Sequence, residues 1–170
     1  MAEEGRLLLR PEPLTAAAFA PFGAVLAHDD RAARAVNAGT ARRTDLAGFA
    51  DREPSAAPAL ALYRLAPQAL PLPVALFERH PGSCQVFAAL TVERFLVVVA
   101  PAGPDGLPDP GRARAFLGGR GDAVRYARDQ WHAPMVALDG AGDMLMLAFE
   151  RGTSGDTIEH RLPAAVLVAD

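Results

Sequence analysis

"RFLVVVAPAGPDGLPDPGRARAFL", Arg94 to Leu117, decides how the rest of the chain is read. Its first part, 94–100, is apolar on both of the faces that a strand presents in alternation. That predicts an inner strand, covered by a second sheet or by another subunit. Residues 101–111 are mostly Pro, Gly and Asp, the residues that end strands and build turns. At 112–117 a second strand-like run begins. The same unit of short run and breaker recurs in both directions. Runs at 59–66, 73–80 and 84–90 precede it, and runs at 122–127, 134–138 and 143–150 follow, with "GGRG" and "DGAG" among the spacers. The run "DMLMLAFE" (143–150) is again apolar on both faces, and "AAVLVA" (164–169) reads as a last strand or a short helix. Many short strands with such turns predict a mainly β fold, an antiparallel sandwich or barrel.

Upstream, "PLTAAAFAPFG" predicts one short N-terminal helix: Thr15 caps it, the alanines propagate it, and Pro21 and Gly23 stop it. "FGAVLA" from Phe22 reads as a strand. Residues 27–56 are polar, rich in Ala and Arg and poorly periodic, which suggests a long excursion folded over the body of the domain. No repeat or linker divides residues 1–170, so one domain is expected.

The composition narrows the functional classes. The net charge of -3 carries no basic footprint for nucleic acid. All 17 basic residues are Arg, and without Lys there is no lysine Schiff base. Cys84 is the single cysteine and can form no intramolecular disulfide, which suits a reducing, cytoplasmic compartment. No run reaches the roughly 20 apolar residues of a membrane span, and "MAEEGRLLLRPEP" has too short an apolar stretch for a signal peptide.

Polar chemistry concentrates in two places. In "LFERHPGSCQVFAAL" (76–90), strand alternation puts Glu78 and His80 on one face and Phe77 and Arg79 on the other. A carboxylate beside an imidazole is a workable acid/base pair near neutral pH; a salt bridge at a strand end is the plain alternative. In "RYARDQWHAP" (125–134), His132 lies near the start of a strand, where an imidazole can face a cavity, whereas a lone Trp such as Trp131 by default belongs to a core. "NAGTARR" (37–43) offers Asn37, Arg42 and Arg43 for a small carboxylate, or forms a surface turn. The histidines His28, His80, His132 and His160 form no H-x-H or H-E-x-x-H pattern, so spacing alone gives no metal site. Glu78, His80 and His132 could still meet in space.

"ERHPGSCQVFAAL", "FLVVVAP" and "RAFLGGRGDAVRYARDQWHAP", in that order and preceded by "PLTAAAFAPFGAVL" and "NAGTARR", resemble the ureidoglycolate lyase family of allantoin catabolism. The likeness runs from about Leu14 to about Glu159. It implies a cupin-like β-barrel, a homodimer and cleavage of ureidoglycolate to glyoxylate and urea. It also implies that Glu78, His80 and His132 carry the proton transfers. Arg79 or an Arg of the 42–43 pair would hold the substrate carboxylate, with Gln85, Asn37, Ser83 and Trp131 as further pocket residues. No cofactor is required by such an elimination, although a divalent metal is possible. The chain departs from the family pattern at Cys84, at Ala133 in W-H-A-P, after Arg43 and near "SGDTIEH". Those changes keep two alternatives open: a relative that binds a small carboxylic acid without turnover, and a metal-dependent cupin enzyme.

Overall fold

The computed structural model describes residues 7–27, 29–46, 48–49 and 51–170; the acidic N-terminus and His28 lie outside the described residues. Its strands are β1 (Leu8–Leu9), β2 (Glu12–Pro13), β3 (Gly23–Leu26), β4 (Arg34–Val36), β5 (Ala41–Arg43), β6 (Ala57–Leu65), β7 (Leu72–Arg79) and β8 (Gln85–Ala89). Then come β9 (Arg94–Ala100), β10 (Arg114–Gly119), β11 (Ala123–Tyr126), β12 (Trp131–His132), β13 (Val136–Ala137), β14 (Gly142–Glu150) and β15 (Ile158–Val168). One short helix, α1 (Ala16–Phe19), sits near the start, where the Thr15 hydroxyl accepts from the Ala18 N–H.

The strands of the body form two curled sheets packed face to face, a sandwich as the strand pattern predicts and cupin-like as the resemblance implies. The larger runs β1-β15-β7-β12-β9-β10-β2, with β13 also on β9; the smaller runs β3-β11-β8-β14-β6. β9 is buried along both faces. Phe95, Val97 and Val99 join the core between the sheets with Phe19, Phe116 and Met144. Leu96, Val98 and Ala100 face the other way and pack with Phe77, Ala115 and Trp131. The cover on that second side is partly the 101–111 spacer itself, which folds back so that Gly106 accepts from Trp131 Nε1. Gly118, the cross-strand partner of Phe95, must lack a side chain, because a Cβ there would lie 2.3 Å from the Phe95 ring.

β14 differs from β9. Met144, Met146 and Ala148 are buried between the sheets, but its other face belongs to the outside of the smaller sheet, where Leu60 and Leu62 on neighbouring β6 are 69% and 67% exposed. Part of that outer face is covered by the 27–56 excursion. It forms the β4-β5 hairpin and then lies on the sheet through Phe49 against Phe149 and through the Gly48 carbonyl, which accepts from Arg125.

Three strands of this framework depart from expectation. β15 is one strand from Ile158, not a short element at 164–169, and its register on β7 shifts between Arg161 and Val166. Pro163 sits in that bulge, where no ladder hydrogen bond is required of it. β1 and β2 are two-residue strands paired in parallel with β15 and β10; segments so short have no readable period. Among the described residues no helix is long and apolar enough to cross a membrane.

Candidate active site

β12 pairs with β7 so that His132 stands directly opposite Glu78. His80 follows two positions along, on the same face, as alternation requires. Three side chains from two distant segments thereby meet between the sheets. His132 Nε2 lies 3.5 Å and His80 Nε2 4.0 Å from Glu78 Oε1. The two imidazole rings are 5.3 Å apart. His132 is buried to within 1% of exposure, and Tyr126 stacks on its ring at 4.0 Å and 12°.

Backbone carbonyls set the tautomers. His132 Nδ1 lies 2.9 Å from the Gln130 carbonyl, and His80 Nδ1 lies 3.1 Å from that of Asp156. A carbonyl only accepts, so each imidazole donates from Nδ1 and turns its Nε2 lone pair toward Glu78. Both Nε2 atoms are buried without a hydrogen-bond partner, as is Gln85 Oε1. Lone pairs on His132 and on a carboxylate at such a separation repel unless something positive lies between them: a shared proton or a cation. The ionisation of the group reflects this. Burial opposes the Glu78 charge, but the facing His132 and then His80 outweigh it, so its carboxyl lies below the usual range. Burial, and then the neighbouring His132 charge, push the His80 imidazole below its ordinary value despite the Asp156 carbonyl and Glu78. Burial, reinforced by Glu78, keeps the Tyr126 phenol protonated.

The same donors fit a divalent cation. One ligand atom from each of Glu78, His80 and His132 lies within 4.8 Å of the other two. Two imidazole nitrogens and a carboxylate oxygen suit zinc or a similar transition metal, and each imidazole is already oriented through its opposite nitrogen.

The remaining candidates are placed otherwise. Gln85 is buried beside His80 and belongs to the cluster. Arg79 points to the opposite face, as alternation requires: it pairs with Asp129 and lies over the Trp131 ring, 4.8 Å from its centroid. Trp131 itself is core of the outer layer, because a two-residue strand that turns His132 inward must turn Trp131 out. Ser83 is spent on the backbone, donating to the Cys84 carbonyl and accepting from Phe149 N–H. Asn37 sits at the exposed tip of the β4-β5 hairpin with φ 52°, a turn residue. Arg42 donates to the carbonyls of Asp30 and Ala33, and Arg43 is held by Asp45. Cys84 is buried, and burial pushes its thiol up, as for a small core residue. Ala133 is packed in the outer apolar cluster. Tyr126 and the Gln130 carbonyl, which position His132, were not singled out from the sequence. "RYARDQWH" gives no sign that its Tyr and Gln serve the following His, because stacking and carbonyl capture depend on the turn at 127–130.

The family model described as ureidoglycolate lyase matches residues 6–169. A ureidoglycolate lyase of Burkholderia mallei is 38% identical over 94% of this chain and 92% of its own length. Another, from Burkholderia cepacia, is 39% identical over 84% of this chain and 80% of its own. Among solved structures, a dTDP sugar isomerase from Desulfovibrio desulfuricans G20 aligns over 82% of this chain and 83% of its own at 16% identity and a TM-score of 0.45.

Proposed function

The chain belongs to the ureidoglycolate lyase family, and from that premise we propose that it cleaves ureidoglycolate to glyoxylate and urea at the Glu78–His80–His132 cluster. The observation that supports this site is the convergence of two buried, unpartnered Nε2 atoms on one carboxylate.

The substrate carries a hydroxyl and a ureido nitrogen on one carbon, next to a carboxylate. His80 Nε2, neutral and without a partner, takes the hydroxyl proton. The O–H electron pair becomes the new carbonyl bond, and the C–N pair leaves with urea. The departing nitrogen takes the proton held between His132 and Glu78. The cluster resets when the proton passes from His80 to Glu78, its neighbour at 4.0 Å. No net proton, water or redox equivalent is consumed. A general acid and base positioned in this way contribute about 10²–10⁴-fold, and burial strengthens each interaction. Were a divalent cation bound by the same three residues, it would polarise a substrate oxygen. A chelator followed by metal titration, read by thermal shift, separates the proton form of the cluster from the cation form.

Purified protein incubated with ureidoglycolate is expected to release urea and glyoxylate in equal amounts, well above the spontaneous rate. No excess release, with or without added divalent metal, removes this reading. The pH profile follows from His80. A base must be neutral, and its folded-state ionisation lies below the ordinary 6.5. Activity is therefore expected to hold at pH 7 and to fall only below pH 6.5, as His80 gains its proton. A profile already falling between pH 8 and 7 would assign the base elsewhere.

The same reading includes a homodimer and a cytoplasmic location. The exposed Leu60 and Leu62 on the outer face of the smaller sheet support contact with a second copy. Light scattering is expected to give twice 17.9 kDa, and a monomer mass would exclude the dimer. The lone, buried Cys84 supports a reducing compartment; cell fractionation tests it.

A further inference from the structure

We propose that Arg161 is the residue that receives the substrate's carboxylate, an assignment that rests on the lyase reading of the neighbouring cluster. The register of β15 on β7 sets Glu159 opposite Glu78 and Arg161 opposite Leu76. Cross-strand partners share a face, so Arg161 stands on the face of Glu78 and His80, one same-face position along. His160, between them, points to the other side, where it meets Trp131.

A cleft opens at this point for a physical reason. β12 stops at His132, and the chain beyond leaves β7 for β9: Ala133 N–H donates to the Val98 carbonyl, and Val136 pairs with Leu96. The edge of β7 before Glu78 therefore has no strand beside it on that side. The gap is a cleft of about 460 Å³, lined by Leu76, Ala133 and Met135 among others and flanked by Arg64 and Arg161. The two guanidiniums are not equivalent. Arg64 is held by both oxygens of Asp143. The Arg161 guanidinium has no hydrogen bond or ion pair to any described residue, and of the other described arginines only Arg31 and Arg112 have side chains in that state, neither of them lining this cleft.

Electrostatics orient a small acid between this cleft and the cluster. Past Leu76, outside the cleft lining, Glu159 stands opposite Glu78, two carboxylates that repel an anion. In the cleft stands a free guanidinium, whose fork matches a carboxylate. Same-face neighbours along a strand lie roughly 7 Å apart, a spacing that a two-carbon acid and an arginine side chain span together. The carboxylate then rests on Arg161, while the hydroxyl and ureido groups face His80 and the Glu78–His132 pair. Arg161 thereby takes the part that the sequence reading gave to Arg79 or Arg42–Arg43.

The test uses oxalurate, the ureido acid in which the reacting carbon is already a carbonyl, and its neutral amide, oxaluramide. Wild-type protein, Arg161→Met and Arg161→Lys are titrated with each by calorimetry, and KM and kcat for ureidoglycolate are measured alongside. Losing a charge-assisted contact is expected to weaken oxalurate binding and to raise KM about tenfold or more in Arg161→Met, with kcat within threefold. Arg161→Lys recovers part of the loss, and oxaluramide binding is unchanged in all three proteins. Arg161 is exposed on its strand, so the thermal midpoints should match. Oxalurate binding equal in wild type and Arg161→Met overturns the proposal, as does a wild type that binds no oxalurate. Tight, Arg161-dependent oxalurate binding without turnover of ureidoglycolate would overturn the lyase reading and leave this one standing.

Discussion

Glu78→Gln is expected to lower kcat for ureidoglycolate cleavage by roughly 10²–10⁴-fold, the contribution of a placed proton donor, with KM little changed. The amide keeps the size of the side chain but cannot share a proton with His132 Nε2, 3.5 Å away in the wild type. It also removes the negative charge that holds a shared proton against His132, so the cluster can no longer store the proton that the departing nitrogen needs. Urea and glyoxylate release gives the rate, and circular dichroism shows whether the fold persists. Turnover within threefold of wild type would exclude Glu78 from the proton-holding pair. The variant also bears on the cation form of the site, since losing one of three ligands should abolish any metal-induced thermal shift.

The second large effect concerns stability. Trp131→Ala is expected to cost about 3–5 kcal/mol, as large-to-small changes at buried aromatic sites do. Trp131 is 1% exposed. Its Nε1 donates to the Gly106 carbonyl, which pins the folded-back 101–111 loop, and Arg79 lies over its ring. The variant leaves a cavity, an unpaired carbonyl and a detached loop together. In a chain of 170 residues the thermal midpoint should drop by roughly 10 °C, and denaturant titration gives the free energy. A loss below about 0.5 kcal/mol, the ordinary surface range, would show that this residue does not organise the outer layer. Because His132 is its chain neighbour, kcat should fall as well. A variant that kept full activity while losing stability would show that His132 is held by Tyr126 and the Gln130 carbonyl alone.

These two side chains show how far strand alternation carries. Trp131 and His132 are adjacent, so one must face the core between the sheets and the other the outer layer; sequence alone did not say which. The same rule put Glu78 and His80 together and Arg79 apart, and it marked 94–100 as a strand covered on both faces. It misjudged reach where the backbone is irregular. Pro163 hid the first half of β15, because a proline inside a regular strand forfeits a hydrogen bond and only a bulge accommodates it. Asn37 looked like a ligand because its neighbours are polar, but its positive φ makes it a turn residue.

The sequence by itself determined the properties that depend on nearest neighbours along the chain. These are the short strands and their breakers, which side chains within a strand share a face, the capped helix at Thr15 and, through ordered motifs, the family. Tertiary structure alone decided which strands lie side by side. That His132 stands opposite Glu78 and Arg161 opposite Leu76 is a matter of register between segments far apart in the chain. Register is set by burying the apolar face of every strand at once, a condition on the whole molecule that no single stretch carries.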